Sequence, residues 1–436
     1  MKLHIRNFAK IKEADIIVDG ITVIAGENNT GKSTVGKILF SMFNALSDID
    51  KKIFDERAKE IEYTTRNILL NYISVKDMPR SIVVRSALNV SRRINLRIRE
   101  IWEENISLSY EGVREIVEES QSALGSNLYK NIDDMTGIIE EISKNIYEIL
   151  SLPEPTLVLE IISRYFNNVF HSQIKPLAKN DDNEAMLCLQ IQGKEEKIFF
   201  KNNVCRGFVD EVGISHKAIY IDNPFIVDEL SKYNNLNPMN ELLVGLLQSD
   251  TKDGILDGII ETVRAKEKLS QIFDLLKNVV DGEIILNQND EFYLKMDGLD
   301  EPISLENLST GMKSFVILKR LLEKGCLKIK DVLILDEPEI HLHPQWQIAY
   351  AELIVLIQKH FELSVVVTTH SPYFVDAINL FSCKYGTDSK VNYYLSSNID
   401  NTVKMDMVSD NIDMIYKKMA SPIQMLDTLR YELNNN

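Results

Sequence analysis

The sequence has few cysteines and no long apolar run, and both absences narrow the class of protein. Cys188, Cys205, Cys326 and Cys383 lie far apart, without a C-x-x-C pair or a matching histidine spacing. They predict reduced thiols and exclude a disulfide framework or a zinc site of the usual spacing. No stretch approaches 18 apolar residues, and residues 1–6 lack the apolar core of a signal peptide. We therefore expect a soluble, cytoplasmic protein without a membrane partner.

Positive charge is also scarce. The formal net charge is −16 and the isoelectric point is near 5.1, which argues against a mainly electrostatic nucleic-acid binder. The exception is a basic cluster made of Arg80, Arg85, Arg92, Arg93, Arg97 and Arg99. Two explanations stay open for this arginine cluster: a solvated helix face, or a surface that holds nucleic acid or an acidic partner.

The 436 residues contain no internal repeat and no low-complexity tract, and they allow two or three structural units. Strand patterns occur at the start of the chain and again near 185, whereas 51–180 has charged, helical patterns. Helical patterns resume at about 226–280, and 283–296 is predicted to form a hairpin that turns at 287–290. We predict one α/β domain split between 1–50 and 181–436, with 51–180 as a helical insertion.

A heptad seam runs through the predicted insertion, at Ile132, Met135, Ile139, Ile142, Ile146 and Ile149. It predicts either packing inside the insertion or a dimer or partner surface.

The stretch 26–34 fits G-x-x-x-x-G-K-[ST] and follows the apolar run 21–25. Glycines let such a loop wrap closely around phosphates, and the helix that follows adds its positive N-terminal end. Lys32 is expected to reach the β- and γ-phosphates and Ser33 to hold Mg²⁺. The predicted phosphate contacts are Gly26, Asn28, Asn29, Thr30, Gly31, Lys32, Ser33 and Thr34.

Carboxylates follow a second apolar run, 332–335. Asp336 is expected to hold Mg²⁺, directly or through water, and Glu337 to polarise the attacking water. A third run, 364–369, ends at His370, which could contact the γ-phosphate or the water. Ser309 and Gly311 stand at the start of an apolar helix, where backbone amides form another anion site.

These four elements, in this order, resemble the ABC-type ATPase head: Walker A, signature, Walker B and switch histidine. The resemblance covers 1–50 and about 185–380, and the segment 336–344 is similar to the RecF/OLD-like branch. It implies an α/β head with a mixed central sheet, an antiparallel N-terminal β-lobe and a helical insertion. It also implies an ATPase that uses ATP and Mg²⁺. Two heads of a homodimer or higher oligomer would sandwich ATP, with Ser309 and Gly311 facing the nucleotide bound by the other subunit's Lys32.

The sequence departs from the family pattern at two places. The usual L-S-G-G-Q signature is Leu308-Ser309-Thr310-Gly311-Met312, without the glutamine. In the family, a glutamine usually ends one strand of the first lobe of the head. That glutamine is not evident here, because Asp222 follows the apolar run 218–221. Gln173 and Gln190 are candidates for this glutamine. No aromatic residue is placed to stack on adenine.

The chain further resembles ATPase subunits of bacterial anti-phage systems, such as the PtuA-like subunits of Septu and the AriA-like subunits of PARIS. That resemblance implies a sensor or regulator that gates a separate nuclease or toxin. OLD nucleases carry a nuclease domain after the head, for which the residues after 380 are too few. The main alternative is a RecF/SMC-like repair ATPase that clamps DNA in an ATP-dependent dimer, so nucleic acid remains a candidate partner. A transporter subunit and a non-hydrolysing scaffold are further alternatives.

Overall fold

The computed structural model describes residues 1–72, 80–104, 106–124, 134–176, 184–230, 236–248, 269–286, 291–296, 298–399 and 402–435. The strands within these ranges are β1 (Lys2–Phe8), β2 (Ile11–Ile17), β3 (Ile21–Gly26), β4 (Ala185–Ile191), β5 (Lys194–Lys201), β6 (Val204–Asp210), β7 (Ala218–Ile221), β8 (Glu283–Leu286), β9 (Phe292–Lys295), β10 (Ile303–Ser304), β11 (Val332–Asp336), β12 (Ser364–Thr369), β13 (Val391–Ile399) and β14 (Thr402–Met407).

The helices are α1 (Lys32–Leu46), α2 (Ile49–Tyr72), α3 (Arg80–Glu103), α4 (Tyr110–Ser120), α5 (Met135–Leu150), α6 (Glu154–Phe170), α7 (Pro238–Gln248), α8 (Thr310–Glu323), α9 (Pro344–Phe361), α10 (Pro372–Tyr385) and α11 (Asp413–Asn435). Residues 269–277 are also helical. None of the helices in the described ranges is both long and apolar enough to cross a membrane.

The chain divides into two compact units, Met1–Ser47 with Ile162–Asn436, and Asp48–Ile161. The first unit contains an eleven-stranded mixed sheet in the order β6-β5-β4-β1-β2-β14-β13-β3-β12-β11-β7. The part from β13 to β7 is parallel, whereas β1, β2, β4, β5 and β6 pair antiparallel. The predicted α/β class, with a mixed central sheet and an antiparallel N-terminal lobe, is confirmed.

The parallel strands form the centre of the sheet because their sequences are apolar throughout. All six residues of β3 are buried, as are the first four of β11 and the last five of β12. Strands covered on both faces need such runs, and side chains from α8, α9 and α10 complete the core on one side. The carboxyl ends of β3, β11 and β12 therefore meet at one edge of the sheet, where the chemistry is expected.

The first unit resumes earlier than the expected residue 181. The aromatic rings of Phe166 and Phe170 on α6 pack against Phe8 of β1, with centroids 6.4 and 4.9 Å apart, and Phe166 also packs against Phe200 of β5. This aromatic cluster attaches the end of α6 to the antiparallel lobe. The sequence pattern showed the helix but not the strands against which it packs.

The second unit is helical, with a core formed by α2 to α5. Ile139, Ile142 and Ile146 of the heptad seam are buried in that core, and Met135 and Ile149 pack against it. The seam in the described residues thus packs inside its own unit. Ile132 lies outside the described residues.

The predicted hairpin is present, and the structure also contains three strands that the sequence did not predict. The hairpin expected over 283–296 is the β8–β9 pair, although its predicted turn at 287–290 lies outside the described residues. Strands β6, β10 and β14 were not predicted from the sequence. Of the helices expected over 226–280, α7 and 269–277 are present, and 249–268 lies outside the described residues.

Candidate nucleotide-binding site

The phosphate loop connects β3 to α1, and its two glycines are required by geometry. A Cβ atom at Gly26 would collide with the carbonyl oxygen of Ser396, and Gly31 has a φ of +77° that favours glycine. Asn29 also has a positive φ, of +64°. The loop therefore turns tightly and leaves the first amides of α1 free to face an anion.

Lys32 begins α1 and is only 3% exposed. Its ammonium donates to the carbonyl oxygens of Gly26 and Glu27, at 3.1 and 2.9 Å, and lies 3.3 Å from Glu337 Oε1. The cation is thus held inside the loop, next to the carboxylate that follows Asp336. This is the position from which an ammonium can bind a phosphate oxygen.

Asp336 is held by three hydroxyl donors. Ser33 Oγ donates to Oδ1 at 3.0 Å, Tyr220 donates to Oδ2 at 2.6 Å, and Thr368 Oγ1 also donates to Oδ1. Burial, together with the nearby Asp336 carboxylate, raises the pKa of Tyr220 well above its usual value, so the phenol remains a donor. The Ser33 hydroxyl and the Asp336 carboxylate are hard oxygen ligands brought together, and they fit Mg²⁺.

Glu337 has a φ of +50°, which is unusual for a residue with a side chain. Its amide donates to the carbonyl oxygen and to Oγ1 of Thr368, both at 3.1 Å, and these bonds hold the backbone in that conformation. The Glu337 carboxylate lies between Lys32 and His370. Its Oε1 is 3.3 Å from Lys32 Nζ and 3.8 Å from His370 Nδ1. Backbone conformations of this kind are concentrated at functional sites.

The structure therefore brings together the loop lysine, both carboxylates and the histidine. His370 follows β12, and its imidazole is 43% exposed, so the ring can reach a bound ligand. Because β3, β11 and β12 are adjacent and parallel, their ends converge although the residues are far apart in sequence.

Ser309 and Gly311 lie elsewhere. Ser309 caps α8 through a 3.4 Å bond from the amide of Met312, and Gly311 packs so closely that a Cβ there would lie 2.8 Å from the Trp346 ring. Ser309 and Gly311 line a cleft of about 570 Å³. Its other lining residues are Thr310, His341, His343, Gln345 and Trp346.

The phosphate loop lines a different cleft, of about 350 Å³. Asn29 to Thr34 and Glu337 contribute to it, whereas Gly26 and Asn28 do not. The lining residues of the two clefts do not overlap within the described part of the chain. One copy therefore presents the phosphate loop and the Ser309 segment as separate surfaces.

Several site residues were not predicted from the sequence. Lys10, Phe170 and His171 line the phosphate-loop cleft, so an aromatic ring is present there. Gln173, one of the two candidate glutamines, also lines it. The other candidate, Gln190, is on β4 opposite Lys2 and Glu195 and does not line that cleft. Tyr220 and Thr368 were not predicted because each contacts Asp336 from a neighbouring strand. The spacing of residues along the sequence does not show which strands are neighbours in the sheet.

Parts of the chain match known proteins in sequence. A family described as "AAA domain, putative AbiEii toxin, Type IV TA system" matches residues 201–376. The Septu protein PtuA of Bacillus thuringiensis is 31% identical over 138 residues, which is 28% of this chain and 28% of PtuA. A "Putative ABC transporter ATP-binding protein" of Clostridium acetobutylicum is 25% identical over 182 residues, which is 42% of this chain and 57% of that protein.

Solved SMC head structures also match. The SMC head domain of Thermotoga maritima is 12% identical, with a TM-score of 0.38, over 93% of this chain and 98% of that domain. An SMC head bound to the C-terminal winged-helix domain of ScpA is 14% identical, with a TM-score of 0.39, over 95% and 98%. The chain spans 28% and 57% of the two curated relatives. It resembles ABC-type P-loop ATPases, and it resembles Septu PtuA.

Proposed function

We propose that this chain binds ATP with Mg²⁺ and hydrolyses it to ADP and phosphate, at sites shared between two copies. The observation that carries the proposal is the convergence of Lys32, Ser33, Asp336 and Glu337 at one sheet edge. A lysine inside a phosphate loop and a hydroxyl–carboxylate pair for Mg²⁺ are what phosphoryl transfer requires.

In this proposal the chain's own residues have distinct roles. Ser33 and Asp336 hold Mg²⁺, which offsets negative charge on the phosphates. Glu337 accepts a proton from the attacking water, whose oxygen bonds to the γ-phosphorus as the bond to the β-phosphate oxygen breaks. His370 lies beside Glu337 and contacts the γ-phosphate or the water, and Lys32 binds the β- and γ-phosphates.

The separate clefts support a dimeric site. Ser309 and Gly311 start a fourteen-residue helix whose amides can bind an anion, yet they do not line the phosphate-loop cleft of the same copy. A second copy can supply them. We propose a homodimer or higher oligomer in which each nucleotide contacts Lys32 of one subunit and Ser309 and Gly311 of the other.

Turnover and binding test the chemistry separately. We expect Lys32→Ala to abolish nucleotide binding, and Glu337→Gln to keep binding while turnover falls by about 10²-fold or more, as removal of a general base does. Lys12→Ala changes an exposed lysine of β2 and is the matched control. Undiminished turnover in Glu337→Gln would show that this carboxylate is not the base.

We further propose that the protein is the sensor or regulator subunit of a bacterial anti-phage system and gates a separate nuclease or toxin. The similarity to Septu PtuA supports this role. ATP would favour the closed pair of heads, and a trigger or hydrolysis would shift that population and release the effector.

Purification together with the products of neighbouring genes tests the regulatory role. A stable complex with a nuclease or toxin, by mass measurement with and without ATP, is the expected result. A lone dimer that binds DNA only with ATP, and loses that binding when the arginine cluster is neutralised, would instead support the repair-type clamp.

A further inference from the structure

Glu339 is a buried carboxylate that the proposed chemistry does not use. It is 3% exposed and lies two residues after Glu337. Its Oε1 accepts from Thr369 Oγ1 at 2.5 Å and from the backbone amide of His370 at 2.9 Å. Both donors belong to the segment that presents the His370 ring, so Glu339 binds the base of that segment.

A closed set of hydrogen bonds surrounds this contact. Thr369 Oγ1 also accepts from the amide of Ser371 at 3.0 Å, and Ser371 Oγ donates to Gln347 Oε1 at 2.9 Å. Gln347 Nε2 in turn donates to the carbonyl oxygen of Leu342 at 3.1 Å. The Leu342 amide donates to the carbonyl oxygen of Glu339 at 3.0 Å. The segment 369–371 is thereby joined to the turn that follows Glu337.

The His370 ring faces two carboxylates with the same nitrogen. Nδ1 lies 3.5 Å from Glu339 Oε1 and 3.8 Å from Glu337 Oε1. Since carboxylate oxygens accept hydrogen bonds and attract a donor, this arrangement favours a proton on Nδ1 over one on Nε2. With the imidazole 43% exposed, packing covers only part of the ring.

Glu339 is also a costly group to bury. Its Oε2 has no hydrogen-bond partner among the described residues, and burial raises its pKa, although the bonds from Thr369 and His370 oppose that rise. A side chain needed only to fill this space would be more stable without a charge. What the carboxylate supplies at this position is the acceptor for Thr369 Oγ1 and for the amide of His370.

We propose that Glu339 is a positioning residue for His370, setting the ring's orientation and the tautomer that faces Glu337 and the bound nucleotide. The inference rests on the proposed function, because it assigns Glu339 a part in the same hydrolysis. It gives Glu339 no contact with the nucleotide, and the effect of Glu339 passes through the imidazole.

A double-mutant cycle tests this route. Glu339→Ala should lower kcat about tenfold, as loss of a residue that orients another typically does, with KM within about twofold of wild type. Glu339→Gln keeps the oxygen acceptor and should recover most of kcat. The Glu339→Ala/His370→Ala double variant should be no slower than His370→Ala alone, because the two residues act as a unit. Glu339→Leu, which fills the volume, replaces Glu339→Ala if the alanine variant unfolds.

The matched control is Glu352→Ala, which removes a mostly buried carboxylate of α9 that pairs with Lys384, away from the site. It should leave kcat unchanged. Loss of nucleotide binding in Glu339→Ala, or a double variant whose loss is the sum of the two single losses, would overturn the proposal by showing a general structural role.

The tautomer of His370 gives a readout that does not need hydrolysis. In protein labelled with ¹⁵N-histidine, long-range ¹H–¹⁵N correlations, assigned with His370→Ala, should show the proton on Nδ1 in wild type. In Glu339→Ala the share of the Nδ1 tautomer should fall, because only Glu337 then faces that nitrogen. A wild type that does not hydrolyse ATP would contradict the proposed function and leave this readout decisive. An unchanged tautomer would contradict the role of Glu339 alone.

Discussion

Asp336 shows at the scale of single residues how the site is built. Three hydroxyl groups from α1, β7 and β12 converge on one carboxylate at the end of β11. Such donors fix the orientation of a carboxylate that binds a metal, and this raises the affinity of the site for the metal.

Tyr220→Phe tests this support. It removes the 2.6 Å bond to Oδ2 from a fully buried position and keeps the ring, so the fold should persist. We expect the Mg²⁺ concentration for half-maximal turnover to rise about tenfold. Tyr350→Phe, a buried ring packed on Phe315 away from Asp336, is the control. An unchanged Mg²⁺ requirement would show that the phenol does not support the site.

Glu196 gives a second residue-scale prediction, about stability. Burial raises its pKa to about 8, and a hydrogen bond with Asp210 contributes to the rise. The folded protein therefore keeps a proton that the unfolded chain loses near its ordinary pKa of about 4.5. Since the folded state binds more protons between these values, the free energy of unfolding should fall as pH rises from about 4.5 to 8.

Glu196→Gln imitates the protonated side chain. Its oxygen can accept from the amides of Val212 and Gly213, as Glu196 Oε1 does at 2.7 and 3.2 Å. The variant should melt a few degrees above wild type at pH 9, with little difference at pH 5. The exposed Glu184→Gln is the control. A difference in melting temperature that does not change with pH would contradict the expected linkage.

At the residue scale, the motif side chains were predictable because their chemistry and spacing are local. Lys32, Ser33, Asp336, Glu337 and His370 each end or follow an apolar run, and the structure brings them together. Tyr220, Thr368 and Glu339 were not predictable, because their contacts depend on which strands are neighbours and on one tight turn.

Helix α1 links the element scale to the site, since it carries Lys32 and Ser33 and lies against β11 and β7. Gly36 makes this close approach possible. A Cβ added there would lie 2.8 Å from Ile334 Cγ2 and 3.1 Å from Tyr220 Cε2. The helix therefore has no room for a methyl group on the side that faces the strands of Asp336 and Tyr220.

Gly36→Ala and Gly245→Ala form a matched pair. Alanine at Gly245, inside α7 with nothing within 4 Å of its Cβ, should stabilise the protein by about 0.5–1 kcal/mol through helix propensity. At Gly36 the same gain is opposed by overpacking of about 1–3 kcal/mol, so the net change should be destabilising. Denaturant unfolding measures both. Equal stabilisation of the two variants would contradict the tight packing of α1.

Most elements could be predicted because their apolar periodicity is strong. The short β10, the edge strand β6 and the interior strand β14 were not predicted, since β6 and β14 mix polar and apolar residues and depend on pairing with strands distant in sequence. The sequence pattern likewise placed the whole of α6 in the insertion, because helical periodicity does not show which partner covers a helix.

At the scale of the whole molecule, the proposed hydrolysis depends on a site divided between two copies. Each copy carries a phosphate-loop cleft and a separate cleft lined by Ser309 and Gly311. No sequence pattern shows that these clefts are separate within one chain, and the expectation of a dimer came from family resemblance. The separate linings of the two clefts in one copy agree with that expectation.

Mixing two inactive variants tests the shared site most directly. Lys32→Ala lacks the phosphate-binding lysine, and Ser309→Asp keeps a good helix cap but places a negative charge against the phosphate. Turnover is measured for each variant alone and for an equal mixture after subunit exchange. If subunits pair at random, about half of the dimers contain one copy of each variant, and each of these mixed dimers has one intact site of its two. The mixture should therefore recover roughly a quarter of wild-type turnover. A mixture that stays at background, although mass measurements show mixed dimers, would contradict the shared site.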